Sequence, residues 1–276
     1  MQTYNGQFYE FFNNYIDSFE LEPTLKAALK YSFDSNGKLF RPMLMWTMLE
    51  DLKVQNQYYE VALAIEMIHT YSLVHDDLPA MDNDDYRRGK LTSHKMFGED
   101  IAILTGDGLL TQAFDLLAKV DLDPKVVVAL IQSFTEAAGI SGMIGGQVMD
   151  VKNENDPHLT VDTLKIIHDK KTAMMIELPI KCAQLIAGTT DSGCLQAARK
   201  LGLFYQIQDD YLDTYGDFTK MGKSSGADDA KVTYSTLYTK QELEAYIQEL
   251  GSEILEAYAP FPSTQRLVKT IIQREG

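Results

Sequence analysis

The stretch His75–Arg88, HDDLPAMDNDDYRR, decides how the rest of this chain is interpreted. It holds five aspartates and then two arginines: Asp76, Asp77, Asp82, Asp84 and Asp85, with Arg87 and Arg88. Carboxylates this close repel each other unless a cation lies among them. Oxygen ligands without a nearby cysteine suit a hard ion such as Mg²⁺, which usually completes its coordination with substrate phosphates. The stretch therefore predicts a magnesium site beside a phosphate or, taken alone, a solvated acidic loop.

A second acidic cluster, Asp209-Asp210-Tyr211-Leu212-Asp213, lies far downstream. On a helix, Asp209 and Asp213 are related as i and i+4, and Asp210 and Asp213 as i and i+3, so all three project from roughly one face. Apolar residues surround this cluster in the sequence, which indicates a face walled by core. Acids on such a face break the usual patterning and point to a functional site, although a solvated helix face stays open as the alternative.

Composition narrows the classes of function. The 276-residue chain has a net charge of −15 and 45% hydrophobic residues, which suffices for a sizeable core and argues against a broad basic surface for nucleic acid. An anionic substrate would need a metal bridge or a local basic pocket. Cys182 and Cys194 match no metal-ligand spacing. We find no signal peptide and no apolar run of about 18 residues, so a soluble cytoplasmic protein is the expectation.

Helical periodicity dominates the chain. Tyr58–Asp77 is predicted as one long helix ended by Pro79, so the first cluster straddles a helix C-terminus, where carboxylates call for a cation. Ser192–Tyr215 is predicted as a helix that carries the second cluster, and Gly142–Gly146 as a glycine-rich break. Without convincing β alternation or a linker, residues 1–276 are predicted to form a single all-α domain.

Basic residues occur in small groups beside glycine or turn signals, which in an acidic protein suggests contacts with the phosphates of two substrates. The groups are Lys38 with Arg41, Arg87 with Arg88, Lys170 with Lys171, and Lys223 with Lys231. Two competing motifs are excluded. Gly222-Lys223-Ser224 resembles the end of a P-loop, but Asp217 stands where glycine is required. Asp82-Asn83-Asp84 resembles the start of an EF-hand, but Arg87 occupies the glycine position.

Together these motifs resemble those of the trans-prenyl diphosphate synthase family, with a longer first motif of the bacterial farnesyl type. Asp76-Asp77-x-x-x-x-Asp82 followed by Arg87-Arg88, and Asp209-Asp210-x-x-Asp213, are similar to the two aspartate-rich motifs of that family. Other matching motifs run in the family's order: Gly37-Lys38-x-x-Arg41-Pro42, Gly106-Asp107, Gly145-Gly146-Gln147, His168-x-x-Lys171-Thr172, Gln206-x-Gln208-Asp209-Asp210 and Gly222-Lys223.

The resemblance implies about ten or more helices around a deep central cavity, usually in a homodimer, and about three Mg²⁺ ions with substrate bound. It implies direct metal ligation by Asp76, Asp82 and Asp209, with Asp77, Asp210 and Asp213 in supporting or direct positions. Arg87, Lys171 and Lys223 would hold the allylic diphosphate. Lys38, Arg41, His69 and Arg88 would hold isopentenyl diphosphate. Dipoles of Lys171, Thr172 and Gln206 would stabilise an allylic carbocation.

Two residues before the first motif bear on product length. Tyr71 lies five residues before Asp76, about 7.5 Å in helical rise, and Ser72 lies four before it. In the family a bulky aromatic residue at the fifth position limits the product to farnesyl length, although plain core packing also explains a tyrosine, and helical angle puts Ser72 nearer the Asp76 face. The expected product is farnesyl diphosphate, made from isopentenyl diphosphate and dimethylallyl or geranyl diphosphate.

Departures and rivals remain. Ala173 stands where glycine is usual, the loop Lys223–Lys231 is shorter than the bacterial pattern, and only Arg274 offers a basic contact at the C-terminus. A geranylgeranyl diphosphate synthase is disfavoured by Tyr71, and a terpene cyclase by the basic residues for a second diphosphate. A non-catalytic subunit of a heteromeric synthase is disfavoured by two complete aspartate motifs. An acidic Mg²⁺- or Ca²⁺-binding protein leaves the ordered basic groups unexplained.

Overall fold

The computed structural model describes residues 2–33, 37, 39–154, 156–216 and 232–273, with side chains from residue 6 onward. This part of the chain is dominated by helices, twelve of which have eight or more residues. They are α1 (Gln2–Asp17), α2 (Pro23–Phe33), α3 (Phe40–Asp51), α4 (Tyr59–Asp76), α6 (Glu99–Lys119), α7 (Pro124–Ala138), α8 (Met143–Asn153), α9 (Val161–His168), α10 (Met174–Ala187), α11 (Ser192–Tyr215), α13 (Lys240–Ala257) and α14 (Pro262–Ile272).

Shorter elements connect these helices. They are β1 (Tyr86–Arg87), β2 (Lys90–Leu91), α5 (Ser93–Phe97), a π-helical turn (Asp169–Ala173) and α12 (Tyr234–Leu237). The predicted all-α class is confirmed, and the deep central cavity stays a prediction. The β1–β2 hairpin escaped the sequence analysis because its strands have only two residues each. Arg88 and Gly89 between them have φ values of 52° and 79°, as a tight hairpin turn requires.

The chain is divided into two compact units, each of which packs mainly within itself. The first unit comprises residues 1–46 with 56–131, and the second comprises residues 47–55 with 132–276. In the first unit α4 packs mainly on α6, and in the second α11 packs on α10 and α13. Helix α4 is buried on almost every side, as a core helix that is apolar all round must be. The predicted bounds of α4 hold within one residue, and those of α11 hold at both ends. The single-domain expectation stays a prediction.

The predicted break at Gly142–Gly146 is wrong in its extent, because α8 already begins at Met143. Gly146 lies inside that helix, where a Cβ atom would come within 2.4 Å of the Lys171 backbone nitrogen. This glycine permits a close approach of two backbones instead of ending a helix. Local propensity, which disfavours glycine in helices, is overridden here by tertiary packing.

Two helical stretches, Glu99–Lys119 and Pro124–Asn153, are long and apolar enough to cross a membrane by length and composition. The sequence analysis had found no such run. These stretches are weak evidence for a membrane span, because a core helix passes the same test. Helix α6 buries residues such as Leu109 and Ala113 within its unit, where it packs on α4.

Candidate active site

The first aspartate cluster begins at the C-terminus of α4 and doubles back on it. The backbone N–H of Asp82 donates to the carbonyl of Asp76 at 2.9 Å, and that of Asn83 donates to Leu78 at 3.1 Å. Asn83 has a φ of 55°, a left-handed conformation that asparagine tolerates well. The loop therefore brings the last aspartate of the motif beside the first, at the negative end of the helix dipole.

Asp77 is turned away from that position and into the protein. It is only 3% exposed, and its Oδ1 accepts a hydrogen bond from Arg87 Nε at 2.6 Å and pairs with Nη2 at 2.5 Å. Burial raises the pKa of Asp77, while the hydrogen bond and charge of Arg87 oppose that rise. This pairing agrees with the supporting position that the resemblance allowed for Asp77. It also orients Arg87, whose contact with an allylic diphosphate stays a prediction.

Gly106 lies close to the first aspartate cluster, and its lack of a side chain leaves space for the His75 ring. Its helix, α6, crosses α4 where the His75 ring lies, and His75 Nε2 is 3.0 Å from the carbonyl oxygen of Ile103. A Cβ atom on Gly106 would lie 2.1 Å from His75 Nε2. The missing side chain thus lets the histidine next to Asp76 pack against the α6 backbone.

Gly106→Ala is expected to destabilise the protein by about 1–3 kcal/mol, the usual range for overpacking. Its matched control is Gly108→Ala in the same helix, because a Cβ there meets only Leu29 Cδ2, at 4.0 Å. Gly108→Ala should stabilise the helix by up to about 1 kcal/mol through helix propensity. Urea denaturation of both variants measures the difference, and equal shifts would contradict the steric account.

Basic residues expected to bind isopentenyl diphosphate gather around Glu66, a residue that the sequence analysis missed. Glu66 is 6% exposed, and its Oε2 is buried without a hydrogen-bond partner among the described residues. Burial raises its pKa, and the charges of Arg41 and Arg88 oppose the rise. A Cβ on Gly37 would lie 2.8 Å from Arg88 Nη1 and 3.8 Å from Glu66 Oε1. The glycine therefore leaves room for the guanidinium beside this carboxylate.

His69 lies one turn after Glu66 on α4. Burial holds the pKa of His69 well below its ordinary value, and the charges of Arg41 and Arg88 act in the same direction. The ring is consequently neutral at physiological pH and offers a hydrogen bond instead of a charge. A lone acid in the apolar run Val61–Ile68 was the signal that could have identified Glu66 from the sequence.

The two residues predicted to limit product length differ in their surroundings. Tyr71 is 5% exposed, and its hydroxyl is buried with no hydrogen-bond partner in the described part of the chain. Burial and the charge of Asp76 raise the pKa of Tyr71 to about 12. Its ring meets that of His75 edge to face, with centroids 5.8 Å apart. Ser72 is satisfied locally, because its Oγ donates to the carbonyl of His69 at 2.8 Å.

The second aspartate cluster occupies the C-terminal part of α11, in the second unit. Asp209 is partly exposed and Asp213 is exposed, whereas Asp210 is tied to the next element of the chain. Asp210 Oδ2 accepts from the Tyr234 backbone N–H at 2.9 Å, and its carbonyl accepts from Ser235 Oγ at 2.8 Å. Asp210 thereby anchors α12, which suits the supporting position that the resemblance allowed for it.

Lys171 and Thr172 lie in the π-helical turn Asp169–Ala173. Lys171 Nζ pairs with Asp150 Oδ2 at 2.6 Å, and Thr172 Oγ1 donates to Gln206 Oε1 at 3.2 Å. The three predicted residues Lys171, Thr172 and Gln206 are therefore brought together within the second unit. The sequence analysis missed Asp150. The available signal was an acidic residue about one helical turn after the Gly145-Gly146-Gln147 motif.

His168, just before the turn, contributes a neutral ring. It stacks on Tyr234 with centroids 5.6 Å apart and an interplanar angle of 26°. Burial is the main cause that lowers the pKa of His168 to about 4. Through Tyr234 the ring lies beside the same short helix that Asp210 anchors.

The donor chemistry fits magnesium. Within the described ranges, no group of three or more His, Cys, Asp or Glu side chains is arranged to hold a metal by itself. The backbone hydrogen bond between Asp82 and Asp76 instead keeps two carboxylate-bearing residues next to each other, and carboxylates suit an ion that takes its remaining ligands from substrate phosphates and water. The predictions for Lys38, Lys223, Lys231 and Arg274, and the exclusion at Gly222–Ser224, lie outside the described residues.

Comparison with known proteins agrees with the fold and these motifs. The polyprenyl synthetase family matches residues 22–274. The chain is 43% identical to the farnesyl diphosphate synthase of Geobacillus stearothermophilus over 249 residues, which cover 86% of this chain and 84% of the relative. It is 39% identical to the geranylgeranyl diphosphate synthase of Cyanophora paradoxa, covering 83% of this chain and 80% of the relative.

Solved structures show the same similarity. A geranyltransferase from Legionella pneumophila superposes with a TM-score of 0.88 at 33% identity, covering 99% of this chain and 95% of the other. A geranyltransferase from Helicobacter pylori, complexed with magnesium and isoprenyl diphosphate, gives a TM-score of 0.81 at 32% identity, with 98% and 95% covered. The fold and the paired aspartate motifs define an isoprenoid synthase. The chain belongs to the polyprenyl synthetase family.

Proposed function

We propose that this protein is a magnesium-dependent short-chain trans-prenyltransferase that makes (E,E)-farnesyl diphosphate. It joins dimethylallyl or geranyl diphosphate to isopentenyl diphosphate and releases diphosphate. The observation that carries the proposal is the fold-back of the first motif, which brings Asp82 beside Asp76 in a chain 43% identical to a farnesyl diphosphate synthase.

Bound Mg²⁺ would neutralise the diphosphate and so make it a leaving group. Asp76, Asp82 and Asp209 would hold the metal, with Asp213 as a further carboxylate. Asp77 orients Arg87 through their ion pair, so that the guanidinium is fixed before substrate arrives. Arg41, His69 and Arg88, with Lys38, bind the second diphosphate.

The residues around the π-helical turn serve the reaction centre. As the allylic diphosphate departs, positive charge develops on the allylic carbons, and the carbonyl and hydroxyl dipoles of Lys171, Thr172 and Gln206 stabilise it without forming a bond. The double bond of isopentenyl diphosphate then attacks the allylic carbon. A proton leaves the new chain to the departing diphosphate, so no enzyme nucleophile is required.

Geranylgeranyl diphosphate is the second candidate product, because the 39% identical relative from Cyanophora paradoxa is a geranylgeranyl diphosphate synthase. The buried ring of Tyr71 favours the shorter product. The non-catalytic-subunit alternative is disfavoured, since the residues of both aspartate motifs are complete.

The enzyme acts as a cytoplasmic homodimer in this proposal. Exposed apolar residues on the first unit support a protein–protein contact: Ile103 is 44% exposed, Leu104 56% and Val128 54%. Cys182 and Cys194 are free and buried, as expected in a reducing compartment.

The test is incubation of the protein with labelled isopentenyl diphosphate, each allylic primer and Mg²⁺, followed by chromatography of the dephosphorylated products. A fifteen-carbon alcohol is expected from both primers, and chelation of the metal should abolish it. A main product of twenty carbons would replace the farnesyl assignment with the second candidate. Absence of incorporation with every primer would refute the enzymatic proposal itself.

A further inference from the structure

The π-helical turn Asp169–Ala173 needs something to hold it in place. A π turn holds one residue more than an α turn, is rare, and occurs frequently at functional sites. It joins α9 to α10, and at its end the Met174 N–H donates to the carbonyl of Asp169, as a π turn requires. Its residues include Lys171 and Thr172, so its shape decides where both are presented.

Two glycines, one on α8 and one on α11, leave space for the backbone of the turn. A Cβ on Gly146 of α8 would lie 2.4 Å from the Lys171 backbone nitrogen, and a Cβ on Gly202 of α11 would lie 2.4 Å from the Ala173 Cα. These glycines make room for the bulging backbone. The absence of side chains at these two positions allows the π turn to form. It does not prevent the turn from relaxing to a regular α-helix.

Arg199 of α11 supplies a restraint that links the two sides of the turn. Its Nη1 is 2.9 Å from Asp169 Oδ2, at the first residue of the turn. Its Nε pairs closely with Glu177 Oε2, on α10 beyond the turn. The side chain of Glu177 is only 15% exposed, so this pair is better shielded from water than an ordinary surface pair. One guanidinium thus connects the first residue of the π turn with a residue beyond its end, through two separate hydrogen bonds.

We propose that Arg199 is a positioning residue, which holds the π-helical turn in the shape that presents Lys171 and Thr172 to the allylic substrate. The inference rests on the proposed function of those two residues. In this proposal Arg199 acts through its pairs with Asp169 and Glu177 and not by contact with a reacting atom. If this restraint is lost, the turn can relax from π-helical to α-helical hydrogen bonding. The side chains that follow then change their angular position around the helix axis by about 100°.

The alternative is that Arg199 contributes only an ordinary surface ion pair. A neighbouring ion pair on the same helix serves as the matched control for this alternative. The next residue, Lys200, pairs with Glu253 Oε2 at 2.7 Å and links α11 to α13 without approaching the turn. Both side chains of that pair are about half exposed, at 48% and 49%. Arg199→Met and Lys200→Met therefore each remove one cation from the same helix, the first with its two ion pairs at the turn and the second with one ion pair elsewhere.

The test compares wild type, Arg199→Met and Lys200→Met in steady-state kinetics and in hydrogen exchange of the backbone amides of residues 170–175. Arg199→Met is expected to lower kcat about tenfold, since a misplacement of about 1 Å can cost even more. Its KM for the allylic primer should rise and its KM for isopentenyl diphosphate should stay unchanged. Exchange at these amides should speed up about tenfold, as for a locally loosened segment. Lys200→Met should behave like wild type in every measurement.

Arg199→Lys should recover part of the activity, because an ammonium can pair with one carboxylate but lacks the fork that reaches both. If Arg199→Met does not fold, Asp169→Asn removes only one arm of the link and should give a smaller change of the same kind. Wild-type kcat and wild-type exchange in Arg199→Met would overturn the inference. Exchange needs no turnover, so it tests the restraint even if the proposed reaction fails.

Discussion

Asp76→Asn is expected to lower kcat by about 10²- to 10³-fold, the loss typical of removing one preorganised electrostatic contact in an active site. The substitution keeps the size of the side chain and removes one negative charge from the metal-binding pair. The backbone hydrogen bond from Asp82 to Asp76 uses the main-chain carbonyl, so the fold-back of the loop is retained. The loss should therefore come from metal and diphosphate binding, and raising the Mg²⁺ concentration should restore part of the rate.

Asp85→Asn is the matched control, because Asp85 belongs to the same acidic stretch but lies outside the family motif. Asp85 is exposed and pairs with Lys95 Nζ at 2.7 Å. Its loss should leave kcat and the Mg²⁺ dependence as in the wild type. Equal effects of the two substitutions would mean that the whole stretch acts as a diffuse negative surface, and the assignment of Asp76 as a ligand would be abandoned.

Tyr71→Ala is expected to shift the main product from fifteen carbons to twenty or more. The buried ring is removed about one and a half helical turns before Asp76, at the metal-binding end of α4, which opens space along the helix for a longer chain. Truncating a buried aromatic residue costs about 3–5 kcal/mol, so the melting temperature of the variant is measured beside its products. Chromatography of the dephosphorylated products, with either allylic primer, reads the chain length directly.

Tyr71→Phe separates the ring from the hydroxyl. Because that hydroxyl has no hydrogen-bond partner in the described part of the chain, Tyr71→Phe should keep both the stability and the fifteen-carbon product. Ser72→Ala should also keep the product, since Ser72 Oγ is engaged with the His69 carbonyl. A Tyr71→Ala enzyme that still makes only the fifteen-carbon product would show that Tyr71 is a core residue and not the limit to elongation.

Local signals predicted the helices that carry the site, because periodicity and end signals act within a few residues. Pro79 beyond the end of α4 is one such signal, and the bounds of α11 followed equally well. The same local reasoning misplaced the glycine-rich break before Gly146. Glycine weakens a helix locally, but at this position the approach of the Lys171 backbone leaves no room for any side chain.

Residue types and their order in the motifs identified the candidate site residues, but they did not identify the residues that contact them in the fold. The motif spacing identified Asp77 and Arg87 separately, and only the fold pairs them in a buried contact. Lys171 was expected at a diphosphate, and the fold places Asp150 beside it, 21 positions away in the chain. Glu66 is visible in the sequence as a lone acid in an apolar helix, but its surroundings become apparent only when the fold places Arg41 and Arg88 near it.

The sequence by itself determined the helical class, the two aspartate clusters and the family resemblance, because these depend on residue type and on spacing within one or two helical turns. The tertiary structure alone decided the return of Asp82 to Asp76, the burial of Asp77 against Arg87, and the link from Arg199 to both sides of the π-helical turn. The Arg199 contacts span 30 and 22 positions of the chain, and even the shorter return of Asp82 to Asp76 follows a loop whose path helical periodicity does not fix. These contacts form only when packing of the surrounding helices fixes the distances between them.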